Sequence, residues 1–374
     1  MSKYSDLFPV SKEAIYLMNA AQAPLNIRSE RALISYLRLA STDIRALPST
    51  REPIRILLSE LLGGAPSDYA LTASTGAGIS MVAAGLSLQS GDNVVMPADE
   101  HWNNTFPWLR LASFGVEIRL VEPDKFNRIS VEAMAQQVDH KTRVVGTTAV
   151  RFDTGYRADL KALSKLAHSV DALFVVDGIQ CAGPHVLNVV DDGIDILACG
   201  GFKWLLGMPG TGFLYLSKAA RERVKPVAPG MFAAEHNFET LHYHDDARQY
   251  ETGSLAYALF HGWSEGLRLL KEVGISEIQA KNLILTDRIL SGFKNLPVQV
   301  LSPHQYEEER SAILSFTAGN KNYNRAISEQ LEKQNILISF RGDNLRVSPN
   351  FYNTEVEIDH FLSALEQAIH QCTK

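Results

Sequence analysis

The sequence predicts an α/β protein: a mostly parallel sheet flanked by helices, with a smaller α+β domain attached. Three observations carry that expectation. Short, doubly apolar runs alternate with helical patterns as far as about Ala256, the order that a parallel sheet with crossover helices requires. Beyond Ala256, long helical patterns and short strands follow without that alternation. No internal repeat, low-complexity tract or Pro/Gly-rich linker separates the two parts, so they are expected to pack tightly. The length of 374 residues also exceeds one ordinary core.

Taken in order, the run 94–96 follows the turn Ser90-Gly91-Asp92-Asn93, and 116–121 follows a glycine. The runs 144–147, 172–176, 194–198 and 213–216 complete the series. Short and apolar on both faces, they read as buried strands. Helical patterns lie between them at 78–86, 104–113, 131–138 and 160–168. After Ala256 the spacing predicts helices over 255–270, 275–293, 322–333 and 355–370. Strands are predicted there at 298–301, 312–316, 336–340 and 345–348. The expected division is a large domain over 20–255, with 1–19 and 256–374 forming the small one.

Hydrophobic residues make up 45% and charged residues 21%, the profile of a globular protein. Lys+Arg number 36 and Asp+Glu 42, a net charge of −6 without clustering. No nucleic-acid partner is therefore expected. No apolar run approaches a membrane span, and residues 1–6 lack the apolar core of a leader. Three cysteines make no disulfide framework; Cys181 and Cys199 lie in apolar stretches, as small hydrophobes do. A reducing cytoplasm is the expected location.

Lys203 has the most informative surroundings. It lies in Gly200-Gly201-Phe202-Lys203-Trp204, between two apolar runs, with Gly207, Gly210 and Gly212 following. A lysine leading out of a strand ordinarily snorkels to water. The glycines argue otherwise, because they let backbone approach a ligand closely. Asp177 ends the run 172–176, and ligands collect at the carboxyl ends of parallel strands. An aspartate there is also a good helix cap. Gln180, three residues on, can donate to a phenolate oxygen. A lysine that can form a Schiff base and a carboxylate that can keep a pyridinium nitrogen protonated are two things pyridoxal phosphate (PLP) needs from a protein.

Further candidates follow the same edge. Ser74-Thr75-Gly76 opens a helical pattern, where free amides can hold a phosphate or a hydroxyl can simply cap. Gly76-Ala77-Gly78 is half of a dinucleotide fingerprint, but Met81 stands where the third glycine belongs. His101, in Glu100-His101-Trp102-Asn103-Asn104, can stack on a flat ring, although a lone histidine is more often structural. Arg346 sits on an apolar strand and wants a bidentate anion. A substrate carboxylate and a local acid such as Asp343 both qualify. His242-Tyr243-His244-Asp245-Asp246 has no metal-ligand spacing and reads as a solvated loop, so no metal is expected.

Together these residues resemble the class V aminotransferase family, the PLP enzymes of fold type I that include cysteine desulfurases. The resemblance runs from about Tyr16 to about Leu365. Tyr16-Leu17-Met18-Asn19-Ala20-Ala21 is similar to the family's opening segment, which places Asn19 and Ala21 at the substrate. Ser74, Thr75 and Gly76 fall where the family binds the phosphate. Glu100-His101 with Asn104, Pro107 and Trp108 resembles the segment whose histidine stacks on the ring. Asp177-Gly178-Ile179-Gln180 is similar to the pair that meets the pyridine nitrogen and the phenolic oxygen. Glu251-Thr252-Gly253-Ser254 resembles the segment whose Gly253 and Ser254 would reach the phosphate across a dimer interface. Arg346, with Ser348 and Tyr352-Asn353-Thr354, resembles the motif whose arginine takes the α-carboxylate.

The resemblance implies a seven-stranded type sheet, PLP as cofactor and a homodimer acting on a small amino acid. Lys203, Asp177 and His101 would be the catalytic groups. The reaction would pass through an external aldimine and Cα deprotonation, with transamination the first expectation. A C–S or other β-lyase, an epimerase, and a PLP-fold binding module are the alternatives. The departures matter too. The family's lysine motif often carries Ser and His where Gly200 and Phe202 stand. Arg151-Phe152-Asp153 occupies the place of a desulfurase asparagine, and Met18 replaces an aspartate. The short loop Phe340-Arg341-Gly342-Asp343 has no cysteine, and desulfurases place their persulfide-forming cysteine there. Arg28, Arg151 and Arg341 are each open to a side-chain carboxylate of the substrate.

Overall fold

The computed structural model describes residues 3–235 and 240–372. Seven strands form the main sheet: β1 (Tyr69–Thr72), β2 (Asn93–Pro97), β3 (Glu117–Val121), β4 (Thr142–Thr148), β5 (Leu173–Asp177), β6 (Ile196–Gly200) and β7 (Gly212–Leu216). Their order is β1-β7-β6-β5-β4-β2-β3. Only β7 runs antiparallel to its neighbours. Strands β1, β2, β5, β6 and β7 are buried at every position. Their apolar side chains alternate between two cores. Val95, Val145, Phe174 and Leu197 face one layer of helices; Val94, Val144, Val175 and Ile196 face the other. That double burial is why both faces of each run had to be apolar.

A second, four-stranded antiparallel sheet follows: β8 (Gln299–Val300), β9 (Leu314–Thr317), β10 (Ser339–Arg341) and β11 (Asn344–Val347), in the order β10-β11-β9-β8. Helices Lys321–Glu332 and Glu355–Cys372 cover it, and Ile327, Leu331, Phe361 and Leu365 join Phe316, Leu345 and Val347 in one core. Leu17 belongs to this core as well. The N-terminal segment is zipped alongside: Ile15–Tyr16 pairs in parallel with Ile336–Leu337, and the Ser348 N–H donates to the Leu17 carbonyl at 2.7 Å. Among the described residues no helix is long and apolar enough to cross a membrane.

The expected strand 336–340 is corrected. It is two strands in two sheets: Ile336–Leu337 pairs with the N-terminal segment, and Ser339–Arg341 pairs with Asn344–Val347. A break at Ile338 lets one apolar run serve two partners, which periodicity within the run does not reveal. The predicted strand at 312–316 starts two residues later. The Ala312 amide donates to the His185 ring and the Ile313 amide to Ser311 Oγ, both outside the sheet. The helix predicted at 104–113 runs over Trp102–Leu109 and tightens into a 3-10 turn over Arg110–Phe114. Strand β1 and the helices Ile27–Thr42 and Arg51–Leu62 add to the predicted elements. Residues 242–246 form a surface loop, where Asp246 caps the following 3-10 turn by accepting from the Arg248 amide at 2.9 Å.

The topology collects the chemistry on one edge. Strands β1, β2, β4, β5 and β6 all end there, and β7, being antiparallel, starts there. Ser74, His101, Asp177 and Lys203 each follow one of these strand ends.

Candidate active site

Lys203 is held by a loop with no room for side chains. A Cβ on Gly201 would lie 2.6 Å from Thr211 Oγ1 and 2.8 Å from the Trp263 ring. The Gly201 amide donates to the Thr211 carbonyl, and the Gly207 amide to the Gly201 carbonyl, both at 2.8 Å. The loop is thus clamped on Trp263, and Lys203 is turned inward, 7% exposed. Among the described residues no carboxylate lies within ion-pair distance of its ammonium. Burial pulls its pKa down to about 8; nearby Arg346 adds to the shift, and Asp177 opposes it. A desolvated lysine near neutrality is a competent nucleophile and base.

Asp177 is 2% exposed at the end of β5. Its Oδ1 accepts from the Ile179 amide at 2.9 Å, closing a turn. Among the described residues Oδ2 accepts no hydrogen bond. Burial pushes the carboxyl up to about 6, against the pull of the Ile179 amide and of Lys203. Among the described residues no cation lies within ion-pair distance of this buried acid. Gln180 is fixed by two bonds: Nε2 donates to the Ala20 carbonyl at 2.9 Å, and Oε1 accepts from the Trp204 indole at 2.7 Å. One Nε2 hydrogen is left over. Thr75, His101, Thr148, Asp177, Gln180 and Lys203 line one cavity.

His101 caps the helix Trp102–Leu109, its Nδ1 accepting from the Asn103 amide at 3.2 Å. Its ring stands edge to face on Phe152, centroids 5.3 Å apart. Burial, then the charges of Lys203 and Arg341, lower its pKa and keep it neutral. Next to it, Ser74, Gly76 and Asn103 line an adjoining cavity. Ser74 Oγ accepts from the Ala77 amide at 3.1 Å, and Thr75 Oγ1 from the Gly200 amide at 2.9 Å. The first-turn amides of Thr75 and Gly76 have no acceptor within their helix, which makes this an anion site in waiting. Gly76 is required for closeness: a Cβ would meet the Asn103 side chain at 3.1 Å.

Arg346 is 1% exposed. Its Nη1 donates to the Phe152 carbonyl and its Nη2 to Ser339 Oγ at 3.5 Å, while Nε has no partner. Asp343, the local acid weighed against a substrate carboxylate, is instead ion-paired with Lys321 at 3.0 Å. Burial lowers the Arg346 pKa to about 9, and Arg341 adds to the shift. A buried guanidinium without a carboxylate is costly unless a ligand supplies the anion.

The structure gathers Lys203, Asp177, Gln180, His101 and Thr75 around one cavity, with Ser74 and Gly76 beside it. Asn19 lines neither cavity: its Nδ2 donates to the Ser348 carbonyl at 2.8 Å, and its Oδ1 accepts from the Tyr352 hydroxyl at 2.5 Å. In that position it braces the end of the Arg346 strand. The Ala21 amide is taken by the Met18 carbonyl. Gly253 and Ser254 line neither cavity within the single chain. They belong to a segment anchored by Glu251, whose carboxylate accepts from Arg51, Arg55 and the Leu71 amide at 2.9, 2.6 and 2.9 Å. Thr148 and Asn103 are cavity residues that sequence reasoning passed over, and Phe152, noted there only as a departure from the resemblance, lines the cavity too. Thr148 ends β4, so the carboxyl-end rule would have found it. Glu100 is a second buried carboxyl, pushed up to about 7 by burial while accepting from the Thr148 amide at 3.0 Å.

The parts fit one cofactor. A pyridinium nitrogen supplies the cation that buried Asp177 lacks, an aldehyde meets desolvated Lys203, and a phosphate meets the open amides at Thr75 and Gly76. Such a site on this sheet defines a PLP enzyme of fold type I. The chain belongs to the class-V aminotransferase family, whose sequence profile matches residues 34–361. A probable cysteine desulfurase of Methanothermobacter thermautotrophicus is 27% identical, over 96% of this chain and 96% of its own. An uncharacterized aminotransferase of Bacillus subtilis is 26% identical, over 99% and 98%. Among solved structures, the cysteine desulfurase of Thermococcus onnurineus superposes with a TM-score of 0.90 at 21% identity, covering 99% of each chain. The cystine C-S lyase C-DES gives 0.89 at 22% identity, covering 96% of this chain and 99% of the other. These likenesses at low identity establish the fold.

One prediction follows from Lys203. Only the neutral amine attacks an aldehyde, so the rate of PLP uptake by the apoprotein rises with pH and levels off above about 8. Absorbance titration checks this. A midpoint at the ordinary lysine value of 10.5 would show a solvated lysine instead.

Proposed function

We propose that this protein transforms an amino acid with PLP by removing its Cα proton, and that the outcome is transamination. Arg346 carries the reading: a buried guanidinium bonded to the carbonyl of Phe152, a cavity residue, with no carboxylate in ion-pair distance among the described residues. The α-carboxylate of an amino acid is the anion that suits it. Lys203, Asp177, Gln180, His101 and the Ser74–Gly76 turn would hold PLP, with Gly253 and Ser254 reaching the phosphate of a second copy in a homodimer. When bound, PLP supplies an electron sink that acidifies the Cα–H bond. Lys203 takes that proton and delivers it. Asp177, ionised, holds a proton on the ring nitrogen. His101 would flank the ring, and Arg346 would orient the substrate by gripping its carboxylate. The same reading keeps the division into a large part, 20–255, and a small part, 1–19 with 256–374.

The cysteines support transamination over persulfide chemistry. Cys181 and Cys199 are buried, and burial pushes the Cys181 thiol up to about 12 and Cys199 well above the usual thiol range. Neither forms a thiolate readily. Cys372 lies in the last turn of the C-terminal helix, packed against the core of the small sheet. Elimination is the second reading, favoured by relatives named probable cysteine desulfurase. It shares the first proton transfer and needs no cysteine of the protein. The test is single-turnover: holoenzyme is mixed with single amino acids without a keto acid. Formation of pyridoxamine phosphate and a keto acid is expected. Release of pyruvate with ammonia or sulfide would make it a lyase, and loss of optical purity alone an epimerase.

A further inference from the structure

The three arginines left open for a second substrate acid are separated by the structure. Arg28 is ion-paired with Glu272 at 2.6 Å. The Arg151 fork is closed by Asp153, with Nε to Oδ1 at 3.0 Å and Nη2 to Oδ2 at 2.7 Å, and its Nη1 donates to the Ala98 carbonyl. Arg341 has no ion pair or side-chain hydrogen bond among the described residues. The nearest acid in sequence, Asp343, is held by Lys321.

Register puts Arg341 beside Arg346. Strands β10 and β11 form a hairpin through Gly342-Asp343, with Gly342 at φ +58°. Ser339 pairs with Arg346, and Arg341 with Asn344. Ser339, Arg341 and Arg346 therefore share one face, and Arg341 and Arg346 are diagonal neighbours roughly 7–8 Å apart at the backbone. Phe340 points the other way, under the guanidinium of Arg325 at 5.5 Å. On the shared face Arg346 is buried and Arg341 exposed. Arg346 is bonded to the carbonyl of Phe152, a cavity residue, and the Arg341 charge acts on His101 and Lys203 inside the cavity. A chain of net charge −6 gathers Lys203, Arg346 and Arg341 here, against the buried carboxyls of Asp177 and Glu100, while Asp153 is paired with Arg151. Such a local positive field draws in and orients anions.

We infer that Arg341 binds an anionic group on the substrate's side chain while Arg346 binds its α-carboxylate. The substrate class is then an amino acid carrying a second acid, a carboxylate or a sulfinate. This rests on the amino-acid reading above. The grip is a specificity device on the hairpin that has no cysteine. It acts on substrate choice and leaves the proton transfer at Lys203 to the other residues.

The test is a spectral titration of the PLP-loaded enzyme with matched pairs: L-aspartate against L-asparagine, L-glutamate against L-glutamine, and L-cysteine sulfinate against L-cysteine. At least one acid is expected to bind about tenfold or more tighter than its neutral partner, the size of one charge-assisted pair. The acid that wins distinguishes carboxylate from sulfinate. In Arg341→Gln the preference falls to near one, and in Arg341→Lys it partly returns. Equal binding of acid and neutral partners by the wild type, or a preference unchanged in Arg341→Gln, overturns the assignment and leaves the amino-acid reading standing. If no amino acid of either kind perturbs the absorbance, both readings fall.

Discussion

Replacing Lys203 by alanine is expected to remove the visible absorbance of lysine-bound PLP and to lower turnover by about 10³-fold or more. The magnitude follows from losing a positioned general base, worth roughly 10²–10⁴-fold, together with covalent capture of the cofactor. The structure explains why no neighbour can substitute. Gly200 and Gly201 bring no side chain, Phe202 is apolar, and the nearby guanidinium of Arg346 stays protonated at working pH. His101 is engaged at Nδ1 as a helix cap. The fold itself should tolerate the change, because among the described residues buried Lys203 has no ion pair to lose. Absorbance spectra and single-turnover rates check the first part, and thermal melting of the apoprotein checks the second. A Lys203→Ala protein with the same band and full activity would overturn the proposed mechanism.

Arg346→Met separates recognition from architecture. Amino-acid affinity is expected to fall on the order of 100-fold, the scale of a lost pair of charge-assisted hydrogen bonds. PLP should remain bound, because none of the cofactor contacts proposed above involves Arg346. Stability of the unliganded protein should hold or rise. A buried cation whose Nε lacks a partner costs desolvation, and methionine fills much of its volume without that cost. A structural arginine would behave in the opposite way, losing stability while amino acids still bound. Denaturant melts and amino-acid titrations of the same preparation decide between them.

Much of the site was legible in the sequence because its residues sit where a pattern ends. Asp177 closes an apolar strand, Lys203 lies between two, and Ser74 opens a helix. Each was visible as chemistry out of place against local periodicity. The large sheet was legible for the same reason, since double burial forces continuous apolar runs. The break at Ile338 was hidden because both halves of the run are apolar and only their partners differ. Gln180 read as a group facing a ligand, yet it also ties Ala20 to Trp204 across the fold. Asn19 read as a substrate contact, and it braces Ser348 and Tyr352.

By itself, the sequence determined the α/β alternation, the residues at the strand ends and the chemistry they can perform. Those depend on spacing of a few residues and on side-chain type. Only the tertiary structure decided which charges are spent and which are free. Asp343 goes to Lys321, Asp153 to Arg151 and Glu272 to Arg28, leaving Arg346 and Arg341, on one face of a hairpin, without an ion pair among the described residues. Burial and ion pairing arise mostly from contacts between residues far apart in the chain. A formal net charge of −6 therefore gave no sign of the positive charges gathered near Lys203.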